Sequence, residues 1–240
     1  MISKLLLSTA LVTAGATAGL AQGFNGATIG IEYSDFADVD DFGGVNYFGS
    51  AEFGITPQFA AALDVSFYDF EFSDADVSNF TAHAIYNLDS AISLGLFFGQ
   101  DQQDETSIDN VGFEAAYDFG FGDIQGYIGA GNDGDDDVNY IGASASYGFG
   151  NGISGIISYD TVAISDVDET ATAFEIGAEY ALESGPRFFG SYGILNVDDS
   201  FVEVDESYFV LGATIELGNN PGVTFGRRGF FEVIDFASDD

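Results

Sequence analysis

Residues 138–159 read VNYIGASASYGFGNGISGIISY. Ile141, Ala143, Ala145, Tyr147 and Phe149 alternate with Tyr140, Gly142, Ser144, Ser146 and Gly148. Successive side chains of a strand point to opposite faces, so one face is apolar and the other is small and polar. Gly150, Asn151 and Gly152 tolerate the positive φ of a tight hairpin, and a second strand-like run follows. Acidic stretches flank the unit, NDGDDD at 132–137 before it and Ser165 to Glu169 after it. The stretch is a β-hairpin with a glycine turn at one end and acid at the other.

The same unit recurs along nearly the whole chain. Strands are expected over 27–36, 43–55, 59–72, 79–88, 91–100, 108–119, 123–131, 138–149, 153–164, 171–182, 187–197 and 207–217. Most are near the length with which a tilted strand crosses a bilayer. Short connections (56–58, 89–90, 120–122, 150–152, 183–186) alternate with longer acidic ones (37–42, 73–78, 101–107, 132–137, 165–170, 198–206). That alternation gathers the short turns at one end and the acid at the other. It predicts an all-β, up-and-down antiparallel barrel of about twelve strands.

The two faces decide the solvent. One carries Ala27, Ile29, Ile31 and Tyr33, then Leu63, Val65 and Phe67, and later Phe209, Leu211, Ala213, Ile215 and Leu217. The other carries Gly, Ser, Ala and acid, including Glu32, Glu52, Asp64, Glu114, Glu175 and Glu179. A soluble barrel puts its large apolar residues inside and mixed charges outside. Here the polar face is small and almost free of Lys and Arg, which fits a wet lumen with the apolar face in lipid. Aromatics gather at both ends as interfacial girdles. Phe53, Phe59, Tyr86, Phe119, Phe121, Tyr147, Phe149, Tyr180, Phe188 and Phe189 lie near the short turns. Phe36, Phe42, Phe70, Phe72, Phe80 and Phe201 lie near the acid.

Residues 1–21 read as a secretory signal peptide. Lys4 precedes an apolar core, and Gly19-Leu20-Ala21 is a small-x-small cleavage site. Residues 22–217 form the expected transmembrane barrel. Residues 218–240 break the repeat and are read as a further strand, a luminal segment or a periplasmic tail. No cysteine is present, so disulfides and thiolate metal sites are excluded. A hydrophobic content of 46% and an aromatic content of 15% exclude a disordered acidic chain. The formal charge of −36 becomes −37 without the leader, which holds Lys4 and no acid. Only Arg187, Arg227 and Arg228 then remain positive. Such a chain has no cationic footprint for nucleic acid or for anionic lipid.

The leader ISKLLLSTALVTAGATAGLA, the Gly- and Tyr-rich strands of 138–159 and the acidic loops together resemble a porin-like Gram-negative outer-membrane β-barrel. More loosely, they resemble the alphaproteobacterial porin group. The resemblance implies an outer-membrane location, with lipid and lipopolysaccharide as neighbours and small solutes as cargo. Trimeric porins of that group resemble larger barrels with a long inward-folded loop and a final aromatic residue. This chain has a short 101–107 and reads Phe236-Ala237-Ser238-Asp239-Asp240 at its end.

Candidate chemistry follows from the faces. Rings of luminal acid favour cations, so Glu32, Glu52, Asp64, Glu114, Glu175 and Glu179 are the candidate pore-lining residues. Arg187, Arg227 and Arg228 are candidates for a constriction opposite them or, for the last two, for a tail contact. Asp133, Asp135 and Asp137 alternate as in a calcium loop but lack its glycine and closing Glu. They form a weak candidate site for Ca or Mg, and no other cofactor is expected. His83, the only histidine, falls on the luminal face with no nucleophile motif beside it, so no enzyme is expected. The expected function is passive diffusion of small hydrophilic solutes with cation preference, in a monomer or weak oligomer. The alternative is a structural or adhesive barrel whose acidic loops bind divalent cations.

Overall fold

Period-two alternation with no helical stretch leaves sheet as the way to satisfy the backbone, and a sheet in lipid must close on itself. The computed structural model describes residues 23–37, 43–70, 77–104, 106–132, 137–165, 169–198, 203–218 and 222–230. Among them twelve strands form one closed barrel. These are β1 (Phe24–Phe36), β2 (Gly44–Gly54), β3 (Phe59–Phe70), β4 (Val77–Asn87), β5 (Ile92–Gln103) and β6 (Thr106–Asp118), then β7 (Asp123–Asn132), β8 (Asp137–Gly150), β9 (Ile153–Ile164), β10 (Glu169–Ala181), β11 (Pro186–Asp198) and β12 (Glu203–Gly218). Every strand pairs antiparallel with its sequence neighbours, and β12 closes on β1 from Gly26↔Gly218 to Phe36↔Tyr208.

The short turns share one rim. At the β8–β9 turn Gly150, Asn151 and Gly152 all have positive φ (89°, 56° and 78°), as the reading of that stretch requires. At the opposite rim one expectation fails. Residues 101–107 are not a loop, because β5 and β6 pair as far as Gln103↔Thr106, leaving only 104–105 between them. Asp104 takes a φ of 51° there. The polar sequence DQQDETS masks two strand ends, since the acid that marks loops elsewhere here alternates across a ladder.

The outer wall is apolar all round. Ile31, Leu63, Phe113, Ile128, Ile141, Ile176 and Leu211 are among its exposed side chains, as in a barrel whose outer solvent is lipid. An aromatic arc runs along the short-turn rim. Phe119 meets Phe121 at 4.9 Å, Phe121 meets Tyr147 at 5.3 Å, and Tyr147 meets Phe149 at 5.2 Å. Phe59, Tyr86, Tyr180 and Phe188 are exposed on the same wall, and Phe80 is exposed on β4. Three expected girdle residues point inward instead. Phe36 and Phe70 are buried in the lumen, and the Phe189 ring lies over Gly212 across the β11–β12 pair. They have the parity of Glu32, Asp64 and Glu179-facing positions, and parity overrides aromatic character. Phe42, Phe72 and Phe201 lie outside the described residues.

The lumen is the core of the molecule. At the acidic rim Phe36, Val138, Tyr140, Val162, Ala171, Leu195 and Tyr208 form one buried cluster, and Tyr68, Phe70 and Val77 form another. Phe230 packs against both. Residues 222–230 run inside the barrel from the short-turn rim, where Gly222 adjoins Glu216 and Thr28, to these clusters.

Candidate functional site

The internal segment has no ladder of its own, so its backbone must find partners on the wall. Glu52 accepts from the Thr224 amide at 2.8 Å, and Gln125 from the Gly226 amide at 3.1 Å. Asp101 accepts from the Phe230 amide at 2.9 Å. The Arg228 carbonyl accepts from Asn79 at 3.0 Å and from Thr81 at 2.7 Å. Phe225 is 2% exposed, seated against Ala60, Ala62 and Ile85.

The two arginines are held alike. The Arg227 guanidinium lies 3.8 Å over the Phe48 ring and 2.9 Å from Glu32. Asn46 donates to the same carboxylate at 2.9 Å. The Arg228 guanidinium lies 4.4 Å over the Tyr127 ring, and its Nε is 3.1 Å from Glu114. Both rings lie on a glycine directly across the ladder. Phe48 pairs with Gly30 and Tyr127 with Gly142, and a Cβ on either glycine would overlap the ring. Glycine at these two places is a matter of close approach, since only its bare Cα lets a ring lie flat on the wall.

Behind Glu114 stands His83. Its Nδ1 is 2.6 Å from Glu114 and its Nε2 is 2.7 Å from Asp64, all three side chains being at most 1% exposed. Two carboxylates can both accept from the ring only in its doubly protonated form. Phe225 stacks on the imidazole at 6.3 Å and 17°. Both nitrogens are occupied and the face is covered, an arrangement suited to clamping charge rather than moving protons.

The remaining candidates are distributed around this centre. Glu52 accepts from Asn25 at 2.7 Å as well as from Thr224. Arg187 spans two neighbouring strands, 2.6 Å from Glu179 and 2.8 Å from Glu216. It is a wall clamp and not the partner of Arg227 and Arg228 in a shared constriction. Glu175 faces inward on β10, in register with Ser158 and Gly193. All six candidate acids therefore share the luminal face, but only Glu32 and Glu114 meet the internal arginines in ion pairs. Asp133 and Asp135 lie outside the described residues, and Asp137 accepts from Asn132 at 2.9 Å. Among the described residues no group of three His, Cys, Asp or Glu is arranged to hold a metal ion.

Sequence reasoning missed Asp101 and Asp160. Asp101, assigned to a loop, is a luminal residue 1% exposed that accepts from Asn79 at 2.8 Å and Asn110 at 2.9 Å. Asp160 accepts from the Tyr127 hydroxyl at 2.8 Å. The phase of the expected strand 153–164 already carries Asp160 inward, and that of β5 carries Asp101 once the strand runs to Gln103.

No family model and no curated protein matches the chain. Solved structures match it in shape. The NanC porin superposes with a TM-score of 0.59 at 9% identity, over 80% of this chain and 100% of that one. The KdgM porin gives 0.54 at 9% identity, over 78% of this chain and 98% of that one. A complex of the KdgM porin with disordered oligogalacturonate matches to the same degree, with a TM-score of 0.54. The likeness is one of fold.

Proposed function

We propose that the chain is a non-enzymatic porin-like channel of a Gram-negative outer membrane, passing small hydrophilic solutes with a preference for cations. In this reading residues 222–230 hold it shut. The observation that carries the proposal is the charge of the wall. Glu32, Glu52, Asp64, Asp101, Glu114, Asp160, Glu175, Glu179 and Glu216 stand on strands and face inward, whereas Arg227 and Arg228 arrive on the internal segment. Moving that segment aside leaves a lumen whose fixed positive groups, among the described residues, are Arg187 and His83. Acid at this density repels anions and concentrates cations. The ligand in the KdgM complex, an acidic sugar chain, is the opposite kind of cargo.

A second reading is favoured by the apolar closure at the acidic rim. A corked barrel suits a structural or adhesive role, with the acidic loops, Asp133, Asp135 and Asp137 among them, binding Ca or Mg. Planar bilayers under a KCl gradient separate the two. The channel reading expects small currents from the wild type and larger ones from R227A/R228A, with reversal potentials of potassium preference. Chloride preference would overturn the selectivity. Absence of current from both proteins would leave the structural reading standing.

A further inference from the structure

The arginine seats are more elaborate than a plug requires. The segment's main chain is already fastened by Glu52, Gln125, Asn79, Thr81 and Asp101. Yet each arginine also has a ring laid flat on a glycine and a carboxylate braced from behind, Glu32 by Asn46 and Glu114 by His83. One seat is built from β1 and β2, the other from β6, β7 and β8. The same construction thus appears on two separate parts of the wall. Arg187, which is fixed to the wall, has carboxylates on both sides and, among the described residues, no ring stacked on it. Ring stacking is therefore reserved for the arginines that come in on the segment. A planar, weakly hydrated guanidinium can stack on a ring while its fork meets a carboxylate, whereas a compact ammonium cannot do both well.

We infer that the seats of Arg227 and Arg228 are recognition sites for guanidinium-bearing solutes, occupied in the closed state by the chain's own segment as an internal substitute. The inference deepens the channel reading and rests on it for the passage of such solutes. Any solute carrying a guanidinium on a short alkyl stem meets the chemistry of the site. The seats select among cations, while the remaining acids merely attract them.

The test empties the seats and offers the group in free form. Full-length R227A/R228A is titrated with n-propylguanidinium and, separately, with n-propylammonium. Binding is read by calorimetry in micelles, and block of the potassium current is read in bilayers. Guanidinium is expected to bind and to block at concentrations about tenfold lower than ammonium. Adding Phe48→Leu and Tyr127→Leu should erase that preference while leaving the attraction for both cations. Equal binding of the two cations by R227A/R228A overturns the inference and leaves a cation channel intact. A variant that discriminates in the calorimeter but passes no current supports the seats and overturns the channel. Should the double variant fail to fold, Arg227→Ala alone serves, because Glu32 beside it is partly solvated and tolerates the vacancy.

Discussion

At the scale of single residues, His83 shows how this lumen balances its charge. The ring stands between two buried acids and neutralises part of both. Removing one partner of a buried pair leaves the others uncompensated, at a typical cost of about 3 kcal/mol. His83→Ala should therefore lower the urea midpoint of the folded protein in micelles. A triple variant that also carries Asp64→Asn and Glu114→Gln should recover most of the loss. An unchanged midpoint in His83→Ala would refute the clamp. The glycine beds are tested in the same way. Gly142→Val places side-chain atoms where the Tyr127 ring and Asp160 lie. It should cost about 2 kcal/mol and weaken the Arg228 seat, whereas Gly150→Ala, where a Cβ meets open space, should cost about 1 kcal/mol through its φ alone. The luminal side of Glu32, Glu52, Asp64, His83, Glu114, Glu175 and Glu179 was legible from alternation. Their partners were not. Which residue lies opposite which depends on ladder register, and a single sequence carries register only where a tight turn pins it, as at Gly150 to Gly152.

The elements follow from period two, and their misreadings have physical causes. The β5–β6 connection was overextended because polar residues at a strand end look like loop. Phe36, Phe70 and Phe189 have the aromatic character of a girdle but the parity of the lumen, and parity decides where they point. The internal segment obeys neither period, since its backbone is satisfied by wall side chains and needs no pattern. Its path left a trace only in composition, because two of the three arginines sit there in a chain that is otherwise acid. Its hold on the wall can be measured with trypsin, which cleaves after Arg. Folded wild type should resist cleavage at Arg227 and Arg228. Phe225→Ala empties the space against Ala60, Ala62 and Ile85 and loses about 3 kcal/mol of packing. If docking closes the segment by that margin, the exposed population rises roughly hundredfold, and cleavage rises with it. Equal cleavage of the two proteins would place the segment outside the barrel in solution.

For the whole molecule, the acid is a source of repulsion and, in the proposed channel, the charge that selects. Fixed charges act over a Debye length of about 30 Å at 0.01 M salt and about 3 Å at 1 M. Potassium preference in R227A/R228A should therefore be strong in dilute KCl and fall as salt rises, read from reversal potentials at a constant gradient ratio. A preference independent of salt would mean that local contacts, not the summed field, discriminate. The distances in sequence between the segment and its anchors carry one more consequence, for the order of assembly. Glu32 and Arg227 are 195 positions apart, and Glu52 and Thr224 are 172 apart. Hairpins join neighbours and form early, whereas contacts of such separation wait for the chain to be gathered. The anchors of 222–230 stand on β1, β2, β4, β5, β6 and β7, so they face a common space only once those strands have come round. During refolding into micelles, the compact heat-resistant band should appear before Arg227 and Arg228 become resistant to trypsin. The newborn barrel would then pass through an interval with its seats vacant, before its own chain fills them.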